Sequence, residues 1–400
     1  MTDQKQIYSS LALLGEDLQI AKDVLIKING KKIVDIETSI TKQRKKDVSE
    51  NFYFDNCIIL PGFINGHTHI GDSFAKELGF KLKINEIVQY PKGLKHYLLE
   101  KIDENIIIDG MMNSIKEMIY SGTTTFVDFR EGGINGINLL QNAINNILKI
   151  NPNLKINRII LGRPKNGIED IDNLFKYCDG IGLSSTNKYS DEELIEISKK
   201  CKKLNKIASV HVSETKEERL YADREFNNSD VYRAILLLDA NPIVHAIHIT
   251  KKDMTLIKTK KRGIVVCPRA NSYFGVGFPP IQEFIKENIP ICIGTDNVMA
   301  NSLNLFREFE YIIKYLRCIF GPKIINSIDI LKMATIYPAK IFNLKNKGSL
   351  DIGKEADMIV LNLNKPHLQP FNKILEILTL RACPSDIKTI FLEGNKIVPE

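Results

Sequence analysis

Short, almost entirely apolar runs alternate with polar helical stretches along the middle of the chain, and this alternation constrains the fold more than any other feature. Nearly continuous apolar runs are typical of parallel strands covered on both faces, whereas half-exposed antiparallel strands alternate apolar and polar residues. The runs predicted to be strands are 58–66, 124–129, 156–162, 180–184, 208–211, 242–247, 263–267 and 290–295. Eight strand–helix units over roughly 250 residues predict an α/β fold, a (β/α)8 TIM barrel.

The segments between these runs have the pattern of amphipathic helices. Residues 191–205 are the clearest case, because their apolar residues recur three or four positions apart and so share one helix face. Ser190 followed by Glu193 forms a capping box at the start of this helix, and Thr250 with Asp253 begins a later helix in the same way.

The two ends of the chain differ from the middle, because short predicted strands there are joined by tight turns. These strands are 17–20, 23–28, 357–361 and 389–392, with hairpin turns at Asn29-Gly30 and Glu393-Gly394. We therefore predict a small β-sandwich domain formed by both chain termini, residues 1–57 and 348–400, beside a barrel of residues 58–347.

The composition excludes several classes of protein. Of the 400 residues, 44% are hydrophobic and 26% are charged, which is typical of a folded globular chain and not of a disordered one. The longest apolar runs hold about five residues, far fewer than the roughly 20 of a membrane helix. The N-terminal residues lack the pattern of a secretory signal. The net charge of +7 comes from lysines scattered among acidic residues, so no nucleic-acid groove is expected.

The cysteines and the charge pattern together predict where the protein works and with what. The seven cysteines are odd in number and contain no Cys-x-x-Cys pair, as expected in a reducing compartment. We predict a cytoplasmic protein with a small-molecule substrate and no nucleic-acid or membrane partner. Homo-oligomers are common among such proteins, so assembly into one is left open.

Histidines follow the first predicted barrel strand, and the active sites of such barrels lie at the carboxyl ends of the strands. The sequence there is Gly66-His67-Thr68-His69, and residues i and i+2 of a strand point to the same face. Imidazole is a common ligand of zinc, iron and copper. Taken alone, the pair is equally consistent with two buried histidines bonded to backbone carbonyls.

Three further strands strengthen the case for a metal site. The fifth strand carries His211 and is followed by Glu214. The sixth carries His245 and His248, and the eighth ends in Asp296. Five of the seven histidines thus fall in or just after three predicted strands. Because neutral imidazoles and a carboxylate can form a ligand set with room for water, the sequence predicts a metal site at this end of the barrel.

Five stretches of the chain resemble the amidohydrolase superfamily, in the order that family has them. They are 61–69, 211–215, 244–248, 294–296 and 348–357, which include the His-Thr-His, His-Val-Ser-Glu-Thr and Gly-Thr-Asp sequences. The resemblance runs over nearly the whole chain. The nearest branch is similar to the metal-dependent deaminases and chlorohydrolases, among them cytosine deaminase, guanine deaminase and the S-adenosylhomocysteine/methylthioadenosine deaminases.

The resemblance implies a set of ligands for one divalent metal, zinc in preference to iron. These ligands are His67, His69, His211 and Asp296. It implies Glu214 as the proton shuttle and His245 as the residue that orients the attacking water or polarises the substrate. Asp296 could also accept the proton of that water. Binuclear relatives carry a carboxylated lysine on the fourth strand, and 180–185 contains no lysine, so one metal is expected.

The reaction implied is metal-dependent hydrolysis of a non-peptide carbon–nitrogen bond in a small cyclic substrate. The leading candidate is deamination of a heterocyclic amine, such as a nucleobase, a nucleoside or a pterin-like compound. Ring opening of a cyclic amide or imidazolone by the same hydroxide is an alternative. An inactive scaffold on the same fold is an alternative of another class.

Arginines end three of the predicted barrel strands and suggest an anionic group on the substrate. They are Arg130, Arg163 and Arg269, which follow the second, third and seventh strands. Arginine binds carboxylate and phosphate with a planar, two-pronged donor set. Pairing with Glu131 or Asp128 inside the barrel mouth is the alternative. Asn271, in the Cys-Pro-x-x-Asn sequence that resembles the deaminase loop, is a further substrate-binding candidate, and residues 71–102 are predicted to form a lid.

Overall fold

Two β-sheets contain the strands of this computed structural model, which describes residues 4–41, 52–89, 92–165 and 167–399. The strands, numbered in chain order, are β1 Gln4–Leu14, β2 Gln19–Asn29, β3 Lys32–Glu37, β4 Phe52–Pro61, β5 Phe63–His69, β6 Thr123–Arg130, β7 Asn157–Gly162, β8 Gly180–Leu183, β9 Ile207–Val212, β10 Ile243–His245, β11 Ile264–Val266, β12 Ile291–Ile293, β13 Asp296–Asn297, β14 Met358–Asn362, β15 Ile387–Leu392 and β16 Asn395–Ile397.

Strands β5 to β12 form a parallel barrel in simple chain order. The short strand β13 continues the eighth strand and pairs with β5, with Asp296 opposite Thr68. The Thr295 amide also donates to the His67 carbonyl at 3.1 Å. These bonds close the sheet on itself, so the predicted α/β fold and TIM barrel are confirmed.

Helices cover the outside of the barrel, as the amphipathic segments predict. The α-helices are Ile84–Val88, Leu94–Lys101, Glu104–Tyr120, Gly133–Ile150, Ile171–Leu174, Asp191–Lys203, Lys216–Phe226, Asp230–Tyr232, Lys251–Thr259, Pro268–Phe274, Ile281–Lys286, Leu305–Phe320, Ser327–Met333, Ile336–Ile341 and Ile374–Leu380. The capping box of Ser190 and Glu193 is present, and this helix ends at Lys203, two residues before the predicted end. Within the described residues, none of the helices combines the length and apolarity needed to cross a membrane.

The second sheet joins both ends of the chain, which confirms the predicted small β-domain. Its strand order is β16-β15-β14-β4-β1-β2-β3, and only the β1–β4 pair is parallel. Side chains of the sheet, among them Ile26, Ile59 and Val360, form an apolar core of their own. The edge strand β3 also bonds to the segment that precedes β14, because the Ile33 amide donates to the Lys354 carbonyl at 2.9 Å.

The first predicted barrel strand, 58–66, is in fact two strands in different sheets. Residues 58–61 end β4, which pairs with β14, and the barrel begins at Phe63. The chain passes between the sheets at Gly62, where a Cβ would lie 2.2 Å from Thr124 Oγ1, so no side chain fits. We propose the boundary between the two units at Gly62. Strand β1 was not predicted, and residues 17–18 belong to a turn instead of a strand.

Between β14 and β15 the chain leaves the small sheet and returns to the barrel surface. This C-terminal excursion, residues 363–386, contains the helix Ile374–Leu380. The Thr379 hydroxyl donates to Ser327 Oγ at 3.0 Å, at the start of a barrel helix. The excursion therefore ties the barrel to the β-domain from the outside.

Candidate active site

Four barrel strands bring polar side chains together at the carboxyl end of the barrel. His67 and His69 lie on β5, His211 on β9, His245 on β10 and Asp296 on β13, and all are buried. His248 instead bonds to the backbone, since its Nε2 lies 2.8 Å from the Val276 carbonyl oxygen.

The four residues proposed as ligands lie within reach of one cation. His67 Nε2 lies 3.3 Å and His69 Nε2 lies 3.5 Å from Asp296 Oδ1. His69 Nε2 lies 3.3 Å from His211 Nε2. Donor atoms on one tetrahedral zinc ion would lie about 3.3 Å apart, given metal–ligand bonds of about 2 Å. Neither ring nitrogen of His67 makes a hydrogen bond among the described residues, although both are buried. The spacing of these donor atoms therefore suits coordination of a divalent metal better than hydrogen bonding among the side chains.

Hydrogen-bonding groups orient two of the histidine rings proposed as ligands. His69 Nδ1 lies 2.7 Å from Glu131 Oε1 and 3.1 Å from the Phe129 carbonyl. His211 Nδ1 lies 2.8 Å from the Leu183 carbonyl. Such partners hold the proton on Nδ1 and leave Nε2 free as a ligand.

Burial keeps the histidines in the neutral form that ligation requires. It lowers the pKa of His69 to about 3, against a weaker opposing effect of Glu131, and holds the pKa of His211 well below its usual range. Burial alone would raise the pKa of Asp296, but the surrounding histidines, His67 foremost, outweigh it and lower that pKa. The site thus combines neutral imidazoles with an ionised carboxylate.

Glu214 and His245 lie beside this cluster. Glu214 Oε2 lies 3.6 Å from His245 Nε2. The Asn271 amide donates to His245 Nδ1 at 3.0 Å, which favours a proton on Nε2, the nitrogen facing Glu214. Burial, followed by the charge of Asp296, raises the pKa of Glu214 to about 8. Both His245 and Asp296 have left-handed backbone conformations, with φ of 70° and 64°, as is frequent at functional sites.

The family model described as the amidohydrolase family matches residues 58–397. The chain belongs to this family. An uncharacterized protein of Methanocaldococcus jannaschii is 34% identical over 98% of each chain. A 5-methylthioadenosine/S-adenosylhomocysteine deaminase of Thermoanaerobacter pseudethanolicus is 29% identical, over 85% of this chain and 81% of the relative.

Solved structures show the same fold. A guanine deaminase from C. acetobutylicum superposes with a TM-score of 0.82 at 19% identity, over 99% of this chain and 100% of the other. An adenosine deaminase from Xanthomonas campestris with bound zinc gives 0.80 at 16% identity, over 98% and 93% of the two chains. Because the chain belongs to the amidohydrolase family, the protein is an amidohydrolase-type enzyme that hydrolyses carbon–nitrogen bonds of small molecules and uses a divalent metal.

Three of the four proposed ligands of this amidohydrolase, His69, His211 and Asp296, line a cavity of about 380 Å³. Part of the wall comes from the predicted lid segment, 71–102. Its lining residues are Asn85, Val88, Gln89, Lys95 and His96. Most of the other lining residues are polar or charged, among them Arg163, Lys188 and Glu218. The cavity thus offers both signs of charge to a substrate.

The three strand-end arginines have different surroundings. Arg130 is buried, lies 2.8 Å from Glu131 Oε2 and is not among the cavity-lining residues. Arg269 faces Glu308 at 3.5 Å and Ser302 at 3.3 Å, also outside the cavity lining. Arg163 lines the cavity and lies 3.8 Å from Glu131 Oε1. Of the three, only Arg163 is placed to meet a substrate anion.

Sequence reasoning missed a buried lysine that links the lid to the ligands. Lys95 Nζ lies 2.6 Å from Glu131 Oε1 and 3.3 Å from Asp72 Oδ2. Asp72 accepts hydrogen bonds from the Asn297 side chain and from the Val298 amide, just after Asp296. Lys95 therefore contacts both Glu131, which supports His69, and Asp72, which supports the chain after Asp296. Nothing in the sequence distinguishes it from the other lysines.

Proposed function

We propose that this amidohydrolase deaminates a heterocyclic amine, such as a nucleobase, a nucleoside or a pterin-like compound. The observation that carries the proposal is the Glu214 carboxyl group, whose side chain is only 14% exposed and lies beside His245 and the proposed ligands in one cavity. A buried carboxyl with a raised pKa can hold a proton near neutral pH, and deamination requires such a donor. Relatives named as deaminases support the same reaction.

We propose zinc as the metal, with His67, His69, His211 and Asp296 as its ligands. A divalent cation held by these groups would lower the pKa of water enough to supply hydroxide near neutral pH. Imidazole and carboxylate donors suit zinc, and the zinc in the adenosine deaminase structure of the same fold supports this choice.

The protein groups then divide the proton transfers between them. Asp296 accepts a proton from the attacking water, and His245 orients that water or polarises the substrate. Glu214 donates its proton to the ring nitrogen as the water adds. The departing amine then takes the proton held by Asp296, and the hydroxyl group of the intermediate returns a proton to Glu214. Water thus adds at the ring carbon, the carbon–nitrogen bond breaks, and the products are a ring carbonyl and ammonia.

Two further residues are proposed to bind substrate or to support catalysis. Arg163 is the proposed anchor for an anionic substituent, because its side chain lines the cavity. Asn271 acts through His245, to which it donates a hydrogen bond. Cytoplasmic location, independence from nucleic acid and assembly into a homo-oligomer stay predictions.

Ammonia release tests the reaction. The zinc-loaded enzyme is offered a panel of aminopurines, aminopyrimidines, pterins and their nucleosides, and ammonia is measured in a coupled assay. We expect release from at least one compound, with the matching carbonyl compound as product. Failure with the whole panel, together with ring opening of a cyclic amide or imidazolone without ammonia, would replace deamination by the alternative reaction.

A further inference from the structure

A second group of metal-ligating side chains lies at the ends of the C-terminal excursion, away from the active site. His367 belongs to a short 3-10 helix at the start of the excursion. Cys383 and Asp386 lie at its end, in the turn that leads into β15. The folded chain thus brings together an imidazole, a thiol and a carboxylate that are separated by 16 and 19 residues.

The three donor atoms have the spacing of ligands around one zinc ion. His367 Nε2 lies 3.0 Å from Asp386 Oδ2, and Cys383 Sγ lies 3.4 Å from the same oxygen. Cys383 Sγ lies 3.9 Å from His367 Nε2. Nitrogen, oxygen and sulfur donors at ordinary zinc bond lengths in a tetrahedron lie roughly 3.3–3.6 Å apart. Small side-chain adjustments would therefore complete three of the four positions.

The burial of Asp386 points to a ligand as well. Its side chain is fully buried, yet Oδ1 has no hydrogen-bond partner within the described part of the chain. The other oxygen, Oδ2, accepts from the Cys383 amide at 2.9 Å and faces both His367 and the Cys383 thiol, so a cation bound at Oδ2 would balance the charge of a buried carboxylate that has few donors. The His367 side chain is 45% exposed, so an ion can enter from solvent.

We propose that His367, Cys383 and Asp386 form a second metal site that binds Zn²⁺. On binding, the thiol loses its proton to solvent, and the ion takes the lone pairs of the thiolate sulfur, His367 Nε2 and an Asp386 oxygen, with water as the fourth ligand. One proton is released for each ion bound. Sulfur and nitrogen donors select zinc over magnesium or calcium.

The same geometry argues against a nucleophilic cysteine. In a catalytic triad of thiol, histidine and carboxylate, one ring nitrogen of the histidine contacts the thiol and the other contacts the carboxylate. Here Cys383 and Asp386 both approach His367 Nε2. The ion would instead join the two ends of the excursion, whose helix rests on the barrel, and so act as a structural clamp.

Zinc counting with matched cysteine variants tests the proposal. Wild type, Cys383→Ser and Cys318→Ser are stripped with a chelator and titrated with Zn²⁺, and bound metal is measured by elemental analysis. Cys318 is an exposed free cysteine in a barrel helix and serves as the control. We expect wild type and Cys318→Ser to bind one equivalent more than Cys383→Ser. Affinity for that equivalent should fall by on the order of 100-fold or more, since even outer partners of ligands contribute 10–100-fold.

Cobalt substitution identifies the sulfur ligand independently of stoichiometry. Cobalt bound to a thiolate gives a charge-transfer band in the near ultraviolet, which should appear in wild type and Cys318→Ser and vanish in Cys383→Ser. Equal zinc binding by all three proteins, or a cobalt–sulfur band that persists without Cys383, overturns the proposal. If the active site held no metal, the difference of one equivalent would remain, so the two proposals fail separately.

Discussion

Lys95 allows the support of the metal ligands to be tested by one substitution. Its ammonium group is buried between Glu131, which contacts the ring of His69, and Asp72, which holds the backbone after Asp296. Lys95→Met keeps most of the apolar stem and removes the charge. Two buried carboxylates then lose a shared cation.

The expected loss of stability depends on the partners that Glu131 and Asp72 keep in the variant. Removing one partner of a buried ion pair destabilises a protein by about 3–5 kcal/mol. Glu131 keeps Arg130 at 2.8 Å, and Asp72 keeps its amide donors, so we expect the lower end, about 3 kcal/mol. Domains of this kind are stable by about 5–15 kcal/mol, so the variant should still fold. Metal affinity should fall by about 10–100-fold, because partners of the ligands are disturbed.

Two measurements on matched variants check this reasoning. Urea unfolding of the metal-free protein gives the change in stability, and competition with a chelator gives the change in metal affinity. Lys76→Met is the control, because Lys76 is exposed and 3.6 Å from its partner Glu117, so a change within about 0.5 kcal/mol is expected. If Lys95→Met matched Lys76→Met in both measurements, the buried lysine would have no supporting role.

Three other predictions concern the cavity. Glu214→Gln should keep the metal but lower turnover by roughly 10²–10⁴-fold, and unchanged ammonia release would remove its role as proton donor. Arg163→Ala should raise KM far more than it lowers kcat, whereas Arg269→Ala should lower the urea midpoint and leave KM unchanged; the reverse pattern would reassign the anion anchor. Burial, then the charge of Glu214, raises the pKa of Glu218 to about 8, so its stabilising proton is fully present below the ordinary value near 4.5 and lost as pH rises through 8. The urea midpoint of Glu218→Gln should therefore gain on wild type between about pH 4.5 and about pH 8, and a pH-independent difference would contradict this assignment.

The sequence predicted the barrel and the ligand cluster because both leave local signals. An apolar run that ends in histidine or aspartate shows where a strand stops and which side chains stand at its end. An apolar run does not show where the chain moves from one sheet to another. The run 58–66 was therefore predicted as one strand, although the chain changes sheets at Gly62. That passage depends on the close approach of Thr124, which lies far away in the chain.

The surroundings of charged residues were harder to predict than their positions. Arg130, Arg163 and Arg269 all end strands, yet only one of them faces the cavity, because the carboxylates that pair with the others come from neighbouring loops and helices. Lys95 lies in a segment without a strong pattern, and its importance comes entirely from Asp72 and Glu131. Such long-range pairs leave no trace in local sequence.

The two-residue strand β13 gives the metal centre a consequence for the architecture. It makes the last bonds between the eighth and first strands, and it carries Asp296, whose carboxylate faces His67 and His69 on the first strand. With the proposed ligands, a shared ion would bridge the first and eighth strands where the barrel closes. Loss of that ion would then weaken the closure of the barrel as well as the proposed reactive centre.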